Sequence, residues 1–213
     1  MKKSYLAVAG FILVAGVTAC GNNSDSDKSA TTTTTDSSTM TTGDTSNASM
    51  NTAAPGNNNT TTNYSSAKLN AADSTFVMKA AVGGMTEVQG GQTAQQSAQN
   101  DRVKNFGQMM VNDHSKANQQ LQSLAAAKGL TLPADLPADK QKMLTQMKST
   151  QGAAFDKHYM SMMVEDHQKD VADFEKQSNS ASDPDVRSFA SQTLPVLKMH
   201  LDSAKAINSA IKK

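Results

Sequence analysis

The chain has 213 residues, a formal charge of +1, a single cysteine and no tryptophan. That length allows one ordinary domain, and the lone cysteine excludes an internal disulfide. No basic run precedes the terminal Lys212-Lys213 pair and no aromatic residues interleave with basic ones, so nucleic acid is not an expected partner.

Residues 1–19 read as a secretory signal peptide. Lys2 and Lys3 form the positive start, and an apolar stretch from Tyr5 to Val14 ends in small residues. The next four residues, Val17-Thr18-Ala19-Cys20, resemble the bacterial lipobox, whose cysteine receives a lipid. The alternatives are a plain cleaved signal or a retained span, but the apolar run falls short of the roughly 20 residues that cross a bilayer. A lipidated Cys20 makes the membrane a partner and predicts an outer-membrane lipoprotein, facing the periplasm or the cell surface. It also leaves no thiol for a metal.

Residues 20–72 are rich in Thr, Ser, Asn, Asp and Gly, with threonine runs at 31–35 and 60–62. So little apolar surface cannot offset the entropy of ordering the chain. The segment is expected to be a disordered tether with a span on the order of 40 Å.

The remainder, 73–213, shows helical apolar periods and no strand-like alternation. A first helix over 73–99 is expected to start at Asp73 as N-cap. Its stripe is Phe76, Ala80, Gly84, Glu87, Gly91, Ala94 and Ala98. Its glycine pairs, 83–84 and 90–91, imply a neighbouring helix at close range.

After turn chemistry at Asn100 and Asp101, a second helix is expected over 102–128, stopping at Gly129. Its stripe runs Val103, Phe106, Met110, His114, Ala117, Leu121, Leu124. Within it stands the hexapeptide Met109-Met110-Val111-Asn112-Asp113-His114, which recurs with one change as Met162-Met163-Val164-Glu165-Asp166-His167.

Two prolines make 130–137 a loop, and 138–149 a short extra helix. This connection is long enough to cross a bundle, so its flanking helices are free to run parallel. A third long helix is expected over 153–177, with Met160, Met163, His167, Val171 and Phe174 inward and His158 on the surface. Asp183-Pro184 is a strong start for a fourth. Its stripe passes through Val186, Phe189, Thr193, Leu197, His200, Ala204 and Ile207, with a kink expected at Pro195. The second and fourth helices begin alike, Val103-x-x-Phe106 and Val186-x-x-Phe189, a hint of two related hairpins.

Glu87, His114, His167 and His200 each stand 13 to 16 residues into a predicted helix and on its apolar stripe. At 1.5 Å per residue they fall at one level of the bundle. One carboxylate and three imidazoles facing one another suit one transition-metal ion: Zn, Fe, Mn or Cu. Asp113 and Asp166, turned about 100° from their histidines, border the site as outer partners or alternative ligands. Met110 and Met163, one turn before His114 and His167, are further alternatives that would favour copper(I). The competing reading is a buried polar network that fixes helix register, with the methionines as core filler.

The chain resembles the bacterial domain of unknown function family 4142, whose members are often labelled outer-membrane proteins. The resemblance rests on Phe76-Val77, Gly83-Gly84-Met85-x-Glu87-Val88, and Val103-Lys104-x-Phe106-Gly107-x-x-Met110-Val111-x-Asp113-His114-Ser115-x-Ala117-Asn118. Leu132-Pro133, Phe155-Asp156-x-x-Tyr159, Asp166-His167 and Leu194-Pro195 before His200 continue it. It implies an all-α, ferritin-like four-helix bundle whose long crossover carries the short helix.

Ferritin-like di-iron proteins use a Glu from two helices and Glu-x-x-His from the other two. Here Val111, Val164 and Leu197 stand three residues before the histidines, so no ferroxidase, oxygenase or iron-storage activity is expected. The sequence thus predicts an exported, lipid-anchored envelope protein with a metal site at Glu87, His114, His167 and His200. The alternative is an envelope module for structure or protein interaction with no metal.

Overall fold

The structure, a computed structural model, describes residues 63–212. The expected signal peptide, Cys20 and most of the expected tether lie outside these residues. Within them are five helices and no strand: α1 (Ala71–Ser97), α2 (Asp101–Ala127), α3 (Ala138–Lys148), α4 (Gly152–Ser180) and α5 (Pro184–Ile211). No helix among the described residues is long and apolar enough to cross a membrane.

The boundaries follow from local chemistry. Helix α2 is capped by Asn100, whose side chain accepts from Arg102 N, and α5 by Asp183, which accepts from Asp185 N and Val186 N with Pro184 in the first turn. At the far end of α2, Gly129 takes φ 65°. Its N–H and that of Leu130 reach the carbonyls of Ala126 and Ala125, closing a Schellman turn. Pro195 sits inside α5, which runs on unbroken through it.

Helix α1 corrects the sequence reading. It begins at Ala71 with Asn70 as cap, whose Oδ1 accepts from Asp73 N at 2.8 Å. Asp73 is buried and its carboxylate is used elsewhere. It accepts from the backbone N–H groups of Ser182 (3.3 Å) and Asp183 (2.8 Å) in the α4–α5 turn. On α4, the buried Asp156 does the same for the α1–α2 turn, accepting from Gln99 N (3.1 Å) and Asn100 N (2.9 Å). Each hairpin therefore holds the turn of the other. The correspondence includes the aromatic residue three places after each aspartate, Phe76 and Tyr159. It also includes the Val-x-x-Phe that follows each cap.

These clamps set the topology. The end of α1 and the start of α4 meet at one end of the bundle, while the start of α1 meets the α4–α5 turn at the other. Helices α2 and α4 consequently run parallel, as the long connection allows, and α3 lies along the outside against α1.

The α1–α2 crossing is tight because of glycine. A Cβ on Gly91 would lie 2.5 Å from Gly107 O, and one on Gly107 would lie 2.7 Å from Gly91 O. At Gly84 an added Cβ would strike the Asn118 side chain, whereas Gly83 has nothing within 4 Å. Only part of the small-residue face is thus required by a neighbour.

Two apolar cores result. One gathers Phe106, Met110, Phe155, Tyr159, Met160 and Met163; the other gathers Phe76, Leu121, Leu124, Phe174, Phe189 and Leu197. On every long helix the boundary between them falls at a buried polar residue: Glu87, His114, His167 or His200.

Candidate metal centre

Each of those four residues occupies the place where its helix's apolar stripe crosses the middle of the bundle. Burial is nearly complete, with 5% exposure at Glu87, 6% at His114 and none at His167 or His200. The imidazoles form a triangle with centroid separations of 5.8 Å (His114 to His167), 5.3 Å (His114 to His200) and 5.3 Å (His167 to His200). One nitrogen from each ring lies within 4.8 Å of the other two. Phe106 closes one side, its centroid 6.3 Å from His167 and 6.5 Å from His200.

Each ring has one nitrogen beside a polar atom and one without. His114 Nδ1 is 3.0 Å from Glu87 Oε2, His167 Nδ1 is 2.9 Å from Met163 O, and His200 Nε2 is 2.8 Å from Asp113 Oδ2. A carbonyl only accepts, so His167 carries its proton on Nδ1 and donates it. The Asp113 carboxylate orients His200 in the same way. Left without any partner are His114 Nε2, His167 Nε2, His200 Nδ1 and Glu87 Oε1. The 3.5 Å from Glu87 Oε1 to His167 Nε2 is too long for a good hydrogen bond.

Charge follows burial. Desolvation, then repulsion from His167 and His200, holds His114 well below the usual histidine range. Desolvation and His200 push His167 down to about 4, against the support of its bond to Met163. His200 is also lowered by desolvation, against the hydrogen bond and charge of Asp113. The three rings are therefore neutral near pH 7, the form that binds metals. The Glu87 carboxyl is raised well above its ordinary range, first by burial, then by Asp170 and Asp166.

The sequence placed Glu87 among the inward groups, and it is inward. One of its oxygens, Oε2, stands 3.0 Å from His114 Nδ1, and the other, Oε1, has no partner. Asp113, expected at the border, bonds His200 from outside. Asp166 is half-buried, 3.7 Å from Lys169 Nζ, and acts on Glu87 only through its charge. Met110 and Met163 are buried in the apolar core, Met163 also through its carbonyl. His158 is on the surface, as expected.

Two residues escaped the sequence reading of the site. Tyr159 is buried, its hydroxyl has no partner, and its acidity is suppressed by burial and then by Glu87. Asp170 stands one helical turn beyond His167, and its carboxyl is pushed up to about 6 by desolvation and Asp166. The spacing His167-x-x-Asp170, which puts both on one face, was the available signal.

The model of one protein family, described as Domain of unknown function (DUF4142), matches residues 58–207. The chain belongs to the DUF4142 family. The matched stretch takes in all five helices up to Ile207, so the His and Glu layer lies wholly inside the DUF4142 domain. Comparison with curated proteins and with solved structures found no match.

Proposed function

We propose that this DUF4142 domain binds one transition-metal ion through His114 Nε2, His167 Nε2 and His200 Nδ1, with Glu87 Oε1 beside them. The observation that carries the reading is the set of four buried, unpartnered atoms in one polar layer. A buried polar atom with no partner costs about 1–3 kcal/mol, so a layer meant only to fix helix register would be expected to satisfy its own groups. With the His114 proton on Nδ1, facing Glu87, all three nitrogens offer lone pairs, and one water has only two hydrogens to give. A cation satisfies all of them at once. Three imidazoles around Zn²⁺, at bonds of about 2.0–2.1 Å, stand about 3.3 Å apart. Ring nitrogens now within 4.8 Å of one another need to draw in by about 1 Å to reach that spacing.

In this reading Asp113 is the outer carboxylate that fixes the ring of a ligating histidine. Zn, Fe, Mn and Cu all accept imidazole nitrogen. The protein is an exported lipoprotein: Cys20 takes the lipid, and the Ser- and Thr-rich segment holds the metal domain off the membrane of the cell envelope. What supports export is the charge and apolarity of residues 1–19 and the lipobox-like Val17-Thr18-Ala19-Cys20.

The test is elemental analysis of the full chain, purified without an affinity tag or chelator, beside a His114→Ala, His167→Ala variant. Close to one ion per chain, lost in the variant, is expected. No ion above background, with a melting temperature unmoved by added Zn, Cu, Mn or Fe, would leave the register role standing.

A further inference from the structure

Between α2 and α5 the bundle surface opens into a cleft of about 290 Å³. Its inner wall includes His114 and His200, and its sides include Lys116, Gln120, Gln192 and Val196. His167 and Glu87 do not line it; Glu87 lines a groove with Asp166 and Asp170 and, with His114, a small pocket of about 30 Å³. An ion held by the three imidazoles would thus have Glu87 on the α1 side and the cleft on the α2–α5 side. The volume is many times that of one water, about 30 Å³. With Glu87 Oε1 standing beside the ion and not bound to it, the three protein nitrogens of the histidine cluster leave a Zn-like ion short of one ligand, the arrangement that separates reactive sites from purely structural ones.

We propose that this cleft is a ligand port through which a small anionic donor of a few heavy atoms reaches the ion and completes its coordination. The inference rests on the metal-binding reading above. An anion is favoured because imidazole nitrogens are uncharged ligands when they bind a metal, which leaves the ion's charge to be met from the cleft side. The walls add no strong field of their own, since Lys116 and Asp113 oppose each other. Polar Gln120, Gln192 and Thr193 offer hydrogen bonds to a donor atom already on the ion.

The experiment loads the full chain with Co²⁺, a Zn-like ion whose visible spectrum reports coordination, and titrates azide as the probe. A saturable change in the Co²⁺ bands is expected. Val196→Trp, which fills the cleft from a position that is not itself a ligand, should take up Co²⁺ as before and weaken azide by about tenfold or more. Should that variant fold poorly, Gln120→Trp, on an exposed wall of the cleft, serves in its place. Failure of the native chain to take up Co²⁺ would end the metal reading and the port together. Uptake with a spectrum indifferent to azide would overturn the port and leave the metal site standing. Azide binding unweakened in the filled cleft would show that ligands arrive elsewhere, which also overturns the port.

Discussion

The Asp113 carboxylate lies 2.8 Å from His200 Nε2, and this contact decides which nitrogen of the ring remains for a ligand. Asp113 is one residue before His114 in sequence, yet it serves the histidine of another helix. Its side chain is 36% exposed, so altering it leaves the apolar packing in place. Asp113→Ala is expected to lower metal affinity about 10- to 100-fold and to cost the metal-free protein about 1–3 kcal/mol, since His200 Nε2 loses its partner. Competition titration against a chromogenic chelator measures the former, and an unchanged affinity would remove Asp113 from the site.

The paired clamps predict paired effects. Asp73→Ala and Asp156→Ala each strip a carboxylate from two backbone N–H groups at a bundle end. Each should lower stability by about 2–3 kcal/mol, the range for hydrogen bonds to a charged acceptor left half-made. Urea unfolding checks it. The metal-to-protein ratio should stay at one in both, since neither residue lies near the central layer.

Lys128 is wholly buried, with its Nζ 2.7 Å from Asp183 Oδ2 and 2.6 Å from Asp185 Oδ2. Burial alone would lower its pKa, but the bonds to Asp183 and then Asp185 outweigh it and raise the group. For Asp185 burial works upward, and the bonds from Lys128 and Ser65 N bring the net value down. The raised lysine stabilises the fold fully below its unfolded value near 10.4 and loses that contribution as pH climbs through its folded value. The depressed aspartate contributes above about 3.9 and loses it as pH falls. Lys128→Met should therefore cost about 3–5 kcal/mol at neutral pH. The gap to the parent should narrow in acid and in strong base, read as melting temperature against pH.

The two glycine substitutions on α1 should differ in sign. Gly91→Ala drives a methyl group against Gly107 O and should destabilise by about 1–3 kcal/mol. Gly83→Ala meets nothing within 4 Å and should stabilise by up to about 1 kcal/mol through helix propensity. Denaturant midpoints of the two variants decide it.

How much of this was legible in the sequence depended on the reach of the interaction. Helix periods are local, so the stripes through Phe106, Met110 and His114 or through Val186, Phe189 and Leu197 could be read directly, and they are the buried faces. The common depth of Glu87, His114, His167 and His200 needed only the helix rise. Asp73 was misread because its side chain looks like a cap on its own helix, while its partners lie at Ser182 and Asp183, over a hundred residues away. Asp156 and Lys128 were opaque for the same reason. The division of labour within the centre was hidden too. Sequence spacing puts Asp113 beside His114, but only the crossing of α2 and α5 shows that it addresses His200 and leaves His114 to Glu87. Tyr159 entered only through the family resemblance, since nothing local tells a buried tyrosine near the site from one in the core.

The claim on which the rest depends is that a cation sits among His114, His167 and His200. An anomalous difference map from a crystal of the protein grown with Co²⁺ tests it most directly. A single strong peak within bonding distance of His114 Nε2, His167 Nε2 and His200 Nδ1 is expected. A peak elsewhere, or none while those three nitrogens keep their present separations, would contradict it.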